Sequence, residues 1–268
     1  MTDKCIVSRA ALHMWEEPII SGDRGSGTIF FSGCSLGCLY CQNREISRGG
    51  KGKEVSAERL SHIMLELQDK GAHNINLVTP THFAKTVRDA IICARESGVY
   101  IPMVYNTSSY DSVEAIRAMD GAVDIYLADC KYYLSKTAAD YSFAGDYPNV
   151  AKAAIREMVK QKPASIIENG LMRSGVIVRI LLLPSHVAEA KLILKYLFSE
   201  YGDSIYISLM NQYTPMGDLK SPLNRRVTHA EYEELLDYAE RLGVKQAFIQ
   251  EFGTAKESFI PEFDNTGV

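Results

Sequence analysis

The sequence predicts an α/β fold in which helices cover a parallel sheet, and two repeated patterns support this prediction. Short apolar runs of strand character recur along the chain, and a segment of helical character separates each run from the next. Strands that alternate with helices form parallel sheets with the helices outside. The predicted strands span residues 28–32, 74–79, 99–105, 122–128, 176–183, 204–209 and 246–250. Periodicity alone fits both an open doubly wound sheet and a barrel.

The helices are predicted from apolar residues at helical spacing, with capping residues at their ends. Ser56 is a candidate N-cap for the helix that follows the first strand. Two capping boxes are predicted later in the chain, one formed by Asp111 with Glu114 and one by Thr228 with Glu231.

Length and composition indicate one ordinary globular domain over residues 1–268. The chain is 46% hydrophobic and 23% charged, and it shows no internal repeat, low-complexity tract or linker that would divide it. Residues 1–26 have little periodicity and are predicted to form an N-terminal arm, residues 27–250 the core and residues 251–268 a C-terminal tail. The segment from His13 to Pro18 holds the single tryptophan, and we expect it to lie over the entrance of the fold.

The charge balance and the hydropathy limit the partners that we expect. A formal net charge of −4 argues against a nucleic-acid-binding surface. No apolar run approaches about 18 residues, and no basic segment precedes an apolar one. The sequence therefore predicts a cytoplasmic protein without a membrane partner.

Three of the six cysteines are clustered directly after the first predicted strand. Cys34, Cys38 and Cys41 have C-x3-C-x2-C spacing, whereas the remaining cysteines are dispersed. A [4Fe–4S] cube has four irons, and electron-transfer clusters bind each of them through a cysteine thiolate. Three cysteines with no fourth nearby would leave one iron open to a non-protein ligand. The alternatives are a zinc knuckle, although structural zinc sites have four protein ligands, and a disulfide loop, which a reducing compartment disfavours.

This spacing, with Tyr40 before the third cysteine, resembles the signature of the radical S-adenosylmethionine (SAM) superfamily. The string from Gly27 to Cys34 and on through Cys41-Gln42-Asn43 resembles the pyruvate formate-lyase activating enzymes, and the similarity extends over roughly residues 25–215. The resemblance implies a partial TIM-like (β/α)6 barrel of parallel strands with the cluster loop after the first strand. It also implies two cofactors, a [4Fe–4S] cluster and SAM.

Polar side chains stand where the predicted strands end, which is where α/β barrels build their active sites. Each of these residues also has a structural interpretation as turn or cap material, and Asp129 with Lys131 as an ion pair. The Arg179 guanidinium must either face outward or pair with a carboxylate, because burying a guanidinium without an anion costs free energy. The strand-end candidates are Thr79, Thr81, Asn106, Thr107, Asp129, Lys131, Arg179 and Gln212.

The resemblance assigns roles to these residues and reveals differences from the family pattern. The Gly-Gly-Glu-Pro motif that holds the SAM amino group corresponds here to residues 78–82, which leaves Thr79, Thr81 or backbone carbonyls for that role. Residues 106–109 replace an Asp-Thr-Asn-Gly motif, so Asn106 and Thr107 are the candidates there. By the same match Asp129 would bind the SAM ribose or a monovalent cation, and Lys131 the SAM carboxylate. Further cofactor-binding candidates are Tyr40, Asn43, Arg179, which would face SAM and substrate, and Gln212, which replaces a histidine.

The resemblance implies an oxidoreductase that cleaves SAM reductively to a 5′-deoxyadenosyl radical, which removes a hydrogen atom from a substrate. The implied substrate is the glycine of a glycyl-radical enzyme. No further cysteine set for a second cluster is present, so electrons would come from an external flavodoxin or ferredoxin. Two alternatives remain open at this point. One is a radical SAM enzyme that acts on a small metabolite or an RNA base, and the other is a non-catalytic barrel that binds zinc or an iron–sulfur cluster.

Overall fold

In a computed structural model, which describes residues 4–250 and 261–268, the core of the fold is a mostly parallel sheet. The strands are β1 Lys4–His13, β2 Ser26–Phe31, β3 Lys53–Ser56, β4 Ile75–Val78, β5 Met103–Thr107, β6 Ile125–Asp129, β7 Ile166–Glu168, β8 Leu171–Leu181, β9 Tyr206–Met210 and β10 Ala247–Ile249. The helices are α1 Pro18–Ser21, α2 Arg44–Ser47, α3 Ala57–Asp69, α4 Ala84–Glu96, α5 Val113–Ala118, α6 Ser135–Ser142, α7 Tyr147–Gln161, α8 Val187–Tyr201 and α9 His229–Leu242. Short 3-10 turns occupy Thr81–Phe83 and Gly202–Ser204.

The sheet has the order β10-β9-β8-β6-β5-β4-β2-β1-β3, with β7 paired to β8 as a short hairpin. The strands from β2 to β10 along this order are parallel, and helices connect most of them. Among the described residues β3 and β10 form the two open edges. The predicted α/β fold with a partial, TIM-like arrangement of parallel strands is therefore confirmed.

The predicted N-terminal arm is wrong in one respect, because residues 4–13 form a strand of the sheet. β1 runs antiparallel to β2, from the pair Val7 and Phe31 to the pair His13 and Ser26. The register shifts between Val7 and Arg9, and the buried positions change there from Cys5 and Val7 to Ser8 and Ala10. This shift interrupts the alternation by which a half-buried strand is recognised.

The short helix α1 closes the amino end of the barrel. Ile20 of α1 packs against Val104 and Ile125, which lie near the starts of β5 and β6, and against Ile177, in the part of β8 that pairs with β6. The Asn74 side chain also donates a hydrogen bond to the Ile20 carbonyl at 2.7 Å. Ile20 lies beyond the segment from His13 to Pro18, so our expectation that this segment lies over the entrance stays a prediction.

The C-terminal residues that the structure describes lie along β1. The Ala10 amide donates to the Thr266 carbonyl at 2.8 Å, and Arg9 pairs with Asp264 at 2.8 Å. Residues 251–260 of the predicted tail lie outside the described residues. Within the described part of the chain, no helix combines the length and the hydropathy that a membrane crossing requires.

One of the two predicted capping boxes is present and the other is not. Thr228 and Glu231 form a reciprocal box at the start of α9. The N-cap of α5 is Ser112, whose side chain accepts from the Ala115 amide, while Asp111 is buried and accepts from Tyr105. The acidic residue was predicted as a cap because the sequence does not show that a buried tyrosine hydroxyl needs an acceptor there.

The two faces of the central strands contribute to different apolar clusters. Tyr105 and Val178 belong to the main core, which includes residues of the outer helices, whereas Val104 and Ile177 pack around α1 inside the barrel. Because side chains alternate along a strand, the next inward-facing positions are those two residues further on. These positions include Asn106 and Arg179, so the carboxyl half of the barrel interior is polar.

A close approach between β2 and α3 gives a test of this packing. A Cβ on Gly27 would lie 3.0 Å from the Cβ atoms of Ala72 and Leu67 and 3.1 Å from the Asn74 carbonyl oxygen. We predict that Gly27→Ala lowers the free energy of unfolding by about 1–3 kcal/mol, because the neighbours must move apart. Gly145→Ala is the control, since its Cβ would meet nothing closer than 3.6 Å. Urea denaturation of both variants checks the prediction, and equal stabilities would contradict this packing.

Candidate active site

A cavity of about 270 Å³ opens at the carboxyl ends of the parallel strands and collects nearly all the predicted site residues. The predicted residues that line it are Cys34, Cys38, Tyr40, Cys41, Asn43, Thr79, Asn106, Thr107, Asp129, Lys131, Arg179 and Gln212. The exception is Thr81, which lies in the 3-10 turn after β4 and whose side chain is close enough to the buried Tyr105 and Asp111 to lower the pKa of both. Thr81 therefore supports the loop rather than the cavity wall.

The cysteine loop is held in place by backbone hydrogen bonds at its start and in its middle. Gly33 follows β2 in the left-handed region with φ +96°, and its amide donates to the Ile46 carbonyl at 2.8 Å. The Leu39 amide donates to the Tyr141 carbonyl at 2.9 Å. The three thiols are free and partly exposed, so they can bind a metal without breaking a disulfide.

The donor set of the three thiols fits a [4Fe–4S] cube. Among residues 4–250 and 261–268, no three His, Cys, Asp or Glu side chains are placed to hold one ion together. In a cube each thiolate binds a different iron, so its ligands are spread more widely. Two sulfur atoms also have hydrogen-bond donors, with the Leu36 amide 3.5 Å from Cys34 and the Ser142 hydroxyl 2.9 Å from Cys38. Such donors are the usual support of metal-bound ligands.

The pKa of the Cys34 thiol is raised to about 11, mainly by burial and to a smaller extent by Cys38 and Cys41, while the Leu36 amide and Lys131 act in the opposite direction. Burial also raises the pKa of Cys38, although Lys131 and the Ser142 hydroxyl act in the opposite direction. These thiols are therefore protonated near neutral pH until a metal displaces the proton.

A chain of charged side chains extends from the cysteines into the barrel. Lys131 Nζ lies 2.6 Å from Asp129 Oδ2, and Asp129 Oδ1 accepts from Arg179 Nε at 2.7 Å. Arg179 also donates to Asn106 Oδ1 at 2.7 Å and to Glu16 Oε2 at 3.3 Å. Asp129 and Arg179 are direct neighbours in the register of β6 and β8, which explains their contact. Of the two placements open to Arg179, the structure shows the inward one with carboxylate partners.

The charges of this network stabilise one another despite their burial. Burial alone would raise the pKa of Asp129, but Arg179 and Lys131 outweigh it and hold the pKa below its ordinary value. Burial alone would lower the pKa of Lys131, but Asp129 outweighs it and raises the pKa. Both groups are therefore ionised at neutral pH. The Lys131 ammonium lies close enough to Cys38 to influence its pKa, so a cation faces the thiols.

Two buried glutamates at this site were not predicted. Glu16 lines the cavity, and its Oε1 accepts from Asn76 Nδ2 at 2.8 Å. Burial raises the pKa of both Glu16 and Glu17, and the positive charge of Arg179 opposes this shift. Glu17 Oε2 is buried without a hydrogen-bond partner among the described residues. The one indication in the sequence was that a buried Arg179 requires a carboxylate partner. Asp129 was already available as that partner, so no second carboxylate was sought.

The remaining predicted residues line the cavity in different ways. Tyr40 is buried, with its hydroxyl 2.7 Å from that of Tyr132 and its ring against Tyr213. Asn43 is the N-cap residue of α2, and the Gln212 carbonyl accepts from the Gln42 side chain at 3.4 Å.

Thr79 has a backbone conformation that β-branched residues rarely adopt. Its φ is +59°, and its amide donates to the Asn106 carbonyl at 2.9 Å. A residue held in this region costs about 1–3 kcal/mol. The backbone here keeps a geometry that glycine favours, although the glycines of the related motif are absent.

Comparison with known proteins identifies the family of this chain. The model of the Radical SAM superfamily matches residues 28–162, which is half of the chain. A protein of Methanocaldococcus jannaschii named "Uncharacterized protein MJ0674" is 27% identical over 241 residues, which are 86% of this chain and 65% of that protein. The chain thus spans less than two thirds of this curated relative.

Solved structures share the fold at low sequence identity. HydG, the FeFe-hydrogenase maturase from Carboxydothermus hydrogenoformans, has a TM-score of 0.57 and 11% identity over 85% of this chain and 54% of that chain. Streptococcus suis SuiB bound to SAM has a TM-score of 0.55 and 9% identity over 82% of this chain and 48% of that chain. SuiB bound to its precursor peptide SuiA has a TM-score of 0.56 and 10% identity over 82% of this chain and 47% of that chain.

The matched half of the sequence includes the three cysteines and the Asp129–Lys131 pair. On this evidence the chain belongs to the radical SAM superfamily, whose cofactors are a [4Fe–4S] cluster and SAM.

Proposed function

We propose that Cys34, Cys38 and Cys41 hold the cluster and that this chain is a radical SAM oxidoreductase supplied with electrons by an external flavodoxin or ferredoxin. The observation that carries the proposal is the placement of three free thiols in one cavity with the charged network of Lys131, Asp129 and Arg179. When bound, the reduced cluster and SAM supply a 5′-deoxyadenosyl radical that removes hydrogen from a substrate.

The chain's own residues bind and orient the cofactor. Lys131 offers an ammonium beside the cysteines for the SAM carboxylate, and Asp129 offers a carboxylate for the ribose hydroxyls. Thr79 and the carboxylate of Glu16 are the candidates for the SAM amino group, which the missing Gly-Gly-Glu-Pro motif holds in the related enzymes. Because the charges of the network already neutralise one another, a zwitterionic ligand can enter without leaving a buried charge unpaired.

We further propose that the substrate is a glycine within a glycyl-radical enzyme, which makes this chain an activating enzyme. The shape of the cavity supports a substrate that is part of a polypeptide chain. The cavity extends from the thiols past Arg179 to Trp15, whose side chain is 57% exposed, and thus reaches solvent at that side. The structural similarity to SuiB, which was determined with a precursor peptide, is consistent with such a substrate.

The first prediction concerns the cofactor chemistry. Anaerobically reconstituted protein, reduced with dithionite, should form 5′-deoxyadenosine from SAM, and Cys38→Ala should reduce this formation to background because a cluster ligand is lost. The control is Cys93→Ala, which removes a thiol of α4 that contacts Ser61 and does not line the cavity. Chromatography of the product with iron and sulfide analysis provides the measurement. Equal loss in both variants, or formation that survives Cys38→Ala, would refute the assignment of the ligands.

The second prediction concerns the substrate. Extract of cells grown on glycine deuterated at Cα should transfer deuterium into 5′-deoxyadenosine when it is mixed with the reduced protein and SAM. Mass spectrometry of the nucleoside detects the transfer. We expect the donor to remain above an ultrafiltration membrane, to survive ribonuclease and to be destroyed by protease. A donor in the low-mass filtrate would instead indicate a metabolite, and one sensitive to ribonuclease would indicate an RNA base.

A further inference from the structure

The carboxyl end of α6 holds the middle of the cysteine loop. The amides of Gly37 and Leu39 donate to the carbonyls of Ser142 and Tyr141 at 3.3 and 2.9 Å. The last carbonyls of a helix have no partner within the helix, and here the cysteine loop supplies donors for two of them. The two bonds flank Cys38 in the sequence, so the position of this thiol is fixed relative to the helix end.

The same helix end directs a side-chain hydroxyl at the thiol. Ser142 is 1% exposed, and its Oγ lies 2.9 Å from Cys38 Sγ and 2.6 Å from the hydroxyl of Tyr132. The Tyr132 hydroxyl in turn lies 2.7 Å from that of Tyr40, which belongs to the cysteine loop. All three hydroxyl-bearing side chains are buried.

The direction of these hydrogen bonds follows from counting protons. A metal-bound thiolate has no proton to donate, so the single proton of Ser142 must point at Cys38. Ser142 then accepts from Tyr132, and Tyr132, whose proton is used, accepts from Tyr40. A phenolic hydroxyl is protonated at neutral pH, so both tyrosines carry the protons that this arrangement requires.

We propose that Ser142, polarised by Tyr132 and Tyr40, donates a hydrogen bond to the Cys38 thiolate and thereby raises the reduction potential of the cluster. The proposal rests on the proposed role of Cys38 as a cluster ligand. Adding one electron to the cluster increases the negative charge on its sulfur ligands. A hydrogen bond to such a sulfur therefore stabilises the reduced form more than the oxidised form. The aligned hydroxyls strengthen the effect because hydrogen bonds in a chain polarise one another.

Ser142 is a positioning residue, since it acts through Cys38, and its test is the midpoint potential of the one-electron couple. The reconstituted holoprotein is titrated anaerobically with dithionite and redox mediators, and the reduced cluster is quantified by electron paramagnetic resonance. For Ser142→Ala we expect the equilibrium constant for reduction to fall about tenfold, which is about 59 mV towards more negative potential. Ser142→Thr keeps a hydroxyl and should keep the parent potential.

Tyr132→Phe separates the hydroxyl chain from a local packing effect. We expect a smaller shift of the same sign, and we expect the double variant with Ser142→Ala to match Ser142→Ala alone, because Tyr132 acts only through Ser142. The matched control is Tyr196→Phe, which removes a hydroxyl from a tyrosine pair on α8 away from the cavity and should leave the potential unchanged.

The outcomes distinguish this inference from the proposed function. A complete cluster with an unchanged potential in Ser142→Ala would overturn the inference and leave the ligand assignment intact. Additive shifts in the double variant would overturn the role of the tyrosine chain. Parent protein that binds no cluster at Cys34, Cys38 and Cys41 would refute the proposed function itself.

Discussion

The placement of the Arg179 guanidinium inside the barrel is the constraint on which the rest of the site depends. A buried guanidinium is tolerated only with anionic or polar partners that satisfy its donors. Asp129 meets this need from the neighbouring strand, Asn106 from β5 and Glu16 from the segment before α1. The chain between β1 and β2 therefore has two tasks, since it closes the amino end of the barrel and brings a carboxylate to the arginine. The same Asp129 then holds Lys131 beside the cysteines.

Whether a site residue could be predicted depends on how far apart in sequence the interacting residues lie. The cysteine loop and the Asp129–Lys131 pair were found because their residues are close in sequence and follow strands of clear apolar character. Glu16 was missed because it reaches Arg179 across 163 positions of sequence, and its own segment has no periodicity. Ser142 was missed for the same reason, since its distance of 2.9 Å from Cys38 depends on where α6 ends. Thr81 was assigned to the site because its sequence position was right, but its hydroxyl faces buried partners.

The differences from the activating-enzyme motifs have a physical interpretation. Thr79 keeps the left-handed backbone that the glycines of the motif would adopt easily, at the cost of strain in a β-branched residue. The carboxylate that the motif would supply after β4 is absent, but Glu16 places another carboxylate at the cavity from a different element. The chemical groups that a zwitterionic cofactor needs are thus present although the sequence motif is not.

In the proposed site, three thiolates hold a cluster whose fourth iron is left for SAM. The most direct test is Mössbauer spectroscopy of protein reconstituted with 57Fe, recorded with and without SAM. We expect about one quarter of the iron to change its spectrum when SAM binds, because one iron of the four lacks a protein ligand. A spectrum that SAM leaves unchanged would contradict this expectation, as would a change shared equally by all four irons.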